Sequence, residues 1–180
     1  MPVMADRWSP RSFDANHKIS QHQLLSILEA GRWAPSANNG QPWRFSIFTR
    51  EAHQHDAVIA TFSGFNQAWG KNGSAVIIIS VPTHLPDGRD YSIAKFDAGL
   101  AAQNMMLQAQ DLGLHAHPMS GFDHPALNQL LELPDGLESL VAIVVGELAS
   151  PDLLDEGARE REVAPRVRKD LDDLILHGKP

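Results

Sequence analysis

Pro35 to Trp43, reading PSANNGQPW, concentrates turn formers and amide side chains in one short stretch. A loop of that composition presents backbone N–H groups and small polar side chains to a ligand, although Pro, Ser, Asn and Gly also build ordinary connections. Near the start of the chain, Arg7, Ser9 and Arg11 stand at alternate positions, and an extended backbone points all three the same way. The histidine pairs His53/His55 and His115/His117, the second close to Asp123 and His124, raise metal binding as an alternative. No helical HExxH spacing or carboxylate framework accompanies them, and structural histidine is the commoner case. Gly64 to Asn72 has glycines near P-loop spacing, but the interval is one residue too long and Asn72 replaces the required hydroxyl. No GxGxxG follows a strand, so a nicotinamide would visit as a substrate. Ser36 lacks an elbow motif and an evident His and acid framework, which argues against serine hydrolysis.

The elements that must carry these residues alternate between helix and strand. Ser20 and Gln23 form a capping-box pattern, and Leu24, Ile27, Leu28, Gly31 and Ala34 follow at helical spacing until Pro35 stops the helix. Trp43, Phe45 and Ile47 alternate with Arg44, Ser46 and Phe48, which predicts a strand with one face in the core. A helix over Glu51 to about Thr61 and a Gly/Asn-rich stretch lead to AVIIISV, Ala75 to Val81, a strand buried on both faces. After a turn-rich link, Pro82 to Arg89, a long helix runs from about Ser92 to Leu112 and is closed by Gly113. Its Ala94, Ala98, Gly99, Ala101 and Ala102 permit close approach of another element. The segment HAHPMSGF, a short helix over about Pro125 to Leu131, and a strand from Leu140 to Val145 follow. Glu147 to Glu162 is acidic and poor in core residues, then PRVRKDLDDLI restores basic and apolar ones. This reads as an arm that leaves the domain and docks again.

Composition narrows the function. The length fits a single domain with a sizeable core, and a net charge of -7 without a dense Lys/Arg cluster argues against a nucleic-acid or anionic-membrane surface. Any anionic ligand must therefore be held by local positive charge. There is no apolar run of membrane-spanning length and no signal-like region, so a soluble, cytoplasmic protein is expected. Zero cysteines exclude disulfides, thiolate catalysis and cysteine-ligated metal sites, which leaves redox chemistry to an organic cofactor.

Four separated pieces, in order over nearly the whole chain, resemble the FMN-dependent nitroreductase family: RWSPRSF (7–13), PSANNGQPW (35–43), HPMSGFD (117–123) and RVR (166–168). The resemblance implies an α+β nitroreductase-like fold, with a mixed central β-sheet flanked by helices in an intertwined homodimer. It assigns FMN binding to Arg7, Trp8, Ser9 and Arg11, with Arg7 and Ser9 at the phosphate and ribityl chain and Arg11 at the pyrimidine edge. Pro35, Ser36, Ala37 and Asn39 would line the flavin from the partner subunit. The backbone at Ser120 and Gly121 would face flavin N5 with Pro118 and Met119 alongside, Asn66 would complete the pyrimidine edge, and Arg166 and Arg168 would close on the phosphate. Trp69 departs from some similar proteins, which carry a basic residue there, and a lost charge would alter the flavin potential.

The activity implied by the resemblance is NAD(P)H-dependent and ping-pong. Hydride passes through flavin N5 to a nitroaromatic, quinone or similar small acceptor, with the protein supplying position and charge. The short Pro82 to Asp90 link leaves no room for a roofing helix, so an open site is expected. A non-catalytic flavin carrier or sensor, and dehalogenating or dehydrogenating variants, remain alternatives. A single domain spans residues 1–180, with the arm from about 147 to 180 docking on the partner.

Overall fold

The computed structural model describes residues 2–178; the expected domain limits at residue 1 and residues 179–180 lie outside them. Its elements in chain order are α1 (Pro2–Asp6), α2 (Gln21–Arg32), β1 (Arg44–Thr49), α3 (His55–Ala60), α4 (Gly64–Gly70), β2 (Ala75–Pro82), α5 (Ile93–Asp111), β3 (His115–Met119), α6 (His124–Leu130), β4 (Leu137–Gly146) and α7 (Glu156–Val163). Short 3-10 turns lie at Ala37–Asn39, Pro151–Leu153 and Leu171–Leu174.

The strands form one sheet in the order β1-β2-β4-β3. Every pairing is antiparallel, which corrects the expected mixed sheet within the described residues. The physical reason is the position of β4: it lies between β2 and β3, which run the same way, and so pairs antiparallel with both. β2 is buried along nearly its whole length because both faces are covered. Ile77, Ile79 and Val81 face one core with Ile27 of α2 and Ala94, Ala98, Ala101 and Met105 of α5, while Val76 and Ile78 face a second with Phe13, Val58, Phe62, Trp69 and Leu127. That two-sided cover explains the unbroken apolar run.

α2 begins at the expected capping box: Gln23 N–H donates to Ser20 Oγ at 3.2 Å and Ser20 N–H donates to Gln23 Oε1 at 3.0 Å. α2 and α5 then meet closely, since a Cβ on Gly31 would come within 2.8 Å of the Met105 side chain. Ala94, Ala98, Ala101 and Ala102 of α5 are buried in the first core, whereas Gly99 is exposed with nothing near its Cβ position. β1 differs from its expected one-sided pattern. Phe48 is buried in the second core while Ile47 is 38% exposed, because an edge strand of a sheet covered on both faces keeps apolar residues on each. The helix expected over 51–61 contracts to α3 behind a turn, and the Gly/Asn-rich stretch forms α4, anchored by the buried Trp69.

The acidic part of the arm returns along its own chain. Asp14 N–H donates to the Glu147 carbonyl at 2.9 Å and Ala149 N–H to the Ser12 carbonyl at 3.0 Å. α7 seats Ala158 and Glu162 in buried positions, whereas residues 164–178 are exposed apart from the half-buried Ile175. Residues 147–162 thus lie along the N-terminal strip of their own chain.

Candidate functional site

The strip from Ala5 to Asp14 is held in place by groups distant in sequence. Arg166 Nη1 donates to the Ala5 carbonyl at 2.6 Å and Arg166 Nη2 to the Arg7 carbonyl at 2.8 Å, bracketing the end of α1. Ser12 Oγ donates to the Ser150 carbonyl at 2.6 Å. His117 of β3 donates from Nδ1 to the Pro10 carbonyl at 2.8 Å. Within the strip, Arg7 Nη1 donates to Ser9 Oγ at 3.4 Å, so two of the alternating residues do share a side.

Positive charge gathers on this strip at Arg7 and Arg11, with Asp6 and Glu162 beside it. Burial lowers the Arg7 pKa, and the guanidinium groups of Arg166 and Arg168 lower it further. Burial also lowers that of Arg11, offset by Glu162 and reinforced by Arg161. No salt bridge among the described residues involves Arg7, Arg11, Arg161, Arg166 or Arg168. Arg11 Nε is buried without a hydrogen-bond partner. Converging guanidinium groups that repel one another and lack carboxylate partners make a site suited to a multiply charged oxyanion. A cavity of about 380 Å³ bordered by Trp8, Glu162 and Arg166 lies beside them.

A short chain of contacts connects this strip to the turn after β3. Arg11 Cζ sits 5.8 Å from the Phe65 ring centroid, and Arg161 Cζ sits 4.6 Å from it. The next residue, Asn66, donates from Nδ2 to the Gly121 carbonyl at 3.1 Å, and Ser63 N–H donates to the same oxygen at 2.9 Å. A Cβ on Gly121 would come within 2.5 Å of Asn66 Nδ2, so glycine is what lets α4 approach the turn. Pro118 and Met119 end β3, and Ser120 and Gly121 follow with exposed backbone. Arg7, Arg11, Asn66, Ser120 and Gly121 therefore belong to one neighbourhood.

Trp69 lies beneath it, only 1% exposed, with its ring centroid 4.4 Å from that of His117. The indole fills core space, where a cation would have no partner. His117, noted in the sequence beside His115 and Asp123, is a buried neutral ring. Burial takes its pKa down to about 4, the Pro10 hydrogen bond opposes that, and Arg11 and Arg7 add to it.

Pro35, Ser36, Ala37 and Asn39 lie elsewhere, packed on the N-terminal half of α5. Ala37 N–H donates to the buried Asp97 Oδ2 at 3.1 Å, and Gln41 N–H donates to Ser36 Oγ at 3.0 Å. Asn38, Asn39 and Gln41 have φ of 51°, 56° and 44°, a left-handed run that asparagine tolerates better than most residues. Gly40 lies against Tyr91, whose hydroxyl a Cβ would approach to 2.5 Å. A pocket of about 490 Å³ opens between Ala37, Gly40, Leu85, Tyr91 and Ile93. Residues 83–91 form a tight turn, with Leu85 N–H on the Arg89 carbonyl at 2.8 Å, and add no helix over it. No hydrogen bond or salt bridge among the described residues joins this loop to the arginine-lined strip. The chain thus brings together the first, third and fourth sequence motifs and leaves the second apart.

The sequence reading missed Glu162, Phe65 and Asp97. Asp97 had a visible signal, a lone acid amid the small residues of α5. Glu162 had none, being one acid in an acidic arm.

The Nitroreductase family model matches residues 4–68 and 50–147. The chain belongs to the nitroreductase family. A solved structure described as an oxidoreductase containing FMN is 34% identical, covers 99% of this chain and 91% of its own, and superposes with a TM-score of 0.93. An uncharacterized 15.4 kDa protein of Mycolicibacterium smegmatis is 30% identical over 132 residues, covering 69% of this chain and 85% of its own. The oxygen-insensitive NADPH nitroreductase of Helicobacter acinonychis is 26% identical over 198 residues, covering 96% and 93%. The nitroreductase-family match extends from the arginine strip through β4, so it includes the first three motifs.

Proposed function

We propose that this nitroreductase-family chain is an FMN-dependent oxidoreductase that uses NAD(P)H to reduce nitroaromatic, quinone or similar small acceptors by a ping-pong cycle. The observation that carries the reading is the convergence of Arg7 and Arg168 beside Arg166, none in a salt bridge among the described residues, a concentration of positive charge that fits the phosphate dianion of FMN. When bound, FMN supplies the hydride-accepting and hydride-donating chemistry.

The chain's own residues bind and orient. Arg7 and Ser9 hold the phosphate end with Arg168, while Arg166 fixes the strip through its carbonyl bonds and Trp8 borders the cavity. Each guanidinium bond to an anion contributes about 1.5 to 3 kcal/mol. Arg11 places positive charge at the pyrimidine edge, Asn66 fixes the turn after β3, and Pro118, Met119, Ser120 and Gly121 give that turn its shape. Pro35, Ser36, Ala37 and Asn39 come from a second copy of the chain, which supports a homodimer because they sit apart from the strip in the first. The short 83–91 turn leaves the acceptor side unroofed, in keeping with a permissive pocket. A cytoplasmic location belongs to the same proposal.

The test is the visible spectrum of purified protein, followed by heat release of the chromophore and NADH or NADPH oxidation with menadione. One FMN per chain with turnover is the expected outcome. Bound FMN without turnover would favour the carrier reading, and a colourless protein that ignores added FMN would defeat the assignment.

A further inference from the structure

Glu162 reaches into the arginine-lined strip from α7 and is only 6% exposed, unlike the exposed Asp6 on the strip itself. Both of its oxygens are engaged by peptide groups: Arg11 N–H donates to Oε2 at 2.8 Å and Ser12 N–H to Oε1 at 3.2 Å. The carboxylate therefore grips the backbone of Arg11 and leaves its guanidinium unpaired, with Nε buried and the group directed over Phe65. A direct ion pair would have quenched Arg11 as a ligand for an anion. Gripping the peptide fixes where Arg11 stands while keeping its charge available. The negative charge of Glu162 still lies close enough to act on Arg11, opposing the effect of Arg161.

We propose that Glu162 is a positioning residue for the cofactor: it aims Arg11 from the C-terminal arm and limits how strongly the positive strip stabilises the reduced flavin. This rests on the FMN reading above. Reduced flavin carries more negative charge at its pyrimidine edge than oxidised flavin, so removing the Glu162 charge favours the reduced form. The same residue makes cofactor geometry depend on α7, since the grip comes from 150 residues away in sequence.

The experiment compares wild type with Glu162→Gln, Glu162→Asp and Glu160→Gln, measuring the FMN dissociation constant and the midpoint potential by spectroelectrochemistry. Glu162→Gln is expected to bind reduced FMN about tenfold more tightly relative to oxidised FMN, a rise of about 30 mV for a two-electron couple. Glu162→Asp keeps the charge but shortens the reach, so it should weaken FMN binding and leave the potential near wild type. Glu160→Gln removes an exposed charge from the same helix and should change neither. A Glu162→Gln protein with stoichiometric FMN and an unshifted potential overturns the inference. So do equal shifts in the Gln and Asp variants, which would reflect distortion and not charge. A wild type that takes up no FMN is a separate outcome and defeats the functional reading, with this inference beside it.

Discussion

His117 shows how a single buried ring links stability to pH. Its folded pKa of about 4 lies below the ordinary 6.5, so between those values the unfolded chain takes up a proton that the folded chain refuses. Stability is therefore full above about pH 6.5 and is lost as pH falls toward 4. Burial lowers His115 as well and acts with the same sign. For His117 alone, unfolding by denaturant at pH 5 should show about 2 kcal/mol less stability than at pH 7. His117→Gln should flatten that difference, and an unchanged slope would show that the ring does not carry it. In the sequence His117 stood out as half of a pair and as the start of HPMSGFD, but a one-letter pattern records neither burial nor which nitrogen bears the proton. Arg7, Ser9 and Arg11 were easier to find, since their alternation is itself geometric. Glu162 was hidden because its role depends on a peptide on the far side of the chain.

The elements readable in advance were those whose local chemistry agrees with their packing. The Ser20 and Gln23 capping box starts α2 where the pattern put it, and Ser20→Ala should cost about 1 kcal/mol, or about 2 to 4 °C in Tm for a domain of this size. Equal melting of the two proteins by circular dichroism would show that the box contributes nothing. β2 was readable because two covered faces need apolar residues at every position. α4 was not, since Gly64 and Gly70 begin and end it and glycine argues against helix; packing of Trp69 overrides that preference. β3 was hidden by Pro118, which most strands exclude. An edge position tolerates it, because one side of β3 pairs with β4 and proline has no N–H to leave stranded on the other.

The molecule as described carries a tail whose apolar residues find little cover. Val167, Leu171, Leu174 and Leu176 are 78%, 69%, 62% and 87% exposed. With the Pro35 loop separated from the arginine strip, this supports a homodimer in which the tail lies on the second copy. Light scattering should give about 40 kDa, twice the 19.8 kDa chain. Leu171→Ser combined with Leu174→Ser and Leu176→Ser should raise the monomer fraction while leaving Arg166 and Arg168 in place. A wild-type monomer that holds FMN would sink the dimer. The expectation that residues 147–180 dock on a partner came from the family resemblance, because apolar spacing in a short irregular segment does not name the surface it meets. The stitching of residues 5–14 to residues 147–166 also has a consequence for biosynthesis. Arg166 and Ala5 are 161 positions apart. At about 5 to 20 residues per second, the ribosome takes roughly ten to thirty seconds to make what lies between them. For that interval the nascent chain carries Arg7 and Arg11 without Arg166 and Arg168, so at the proposed FMN site cofactor capture would follow translation of the arm.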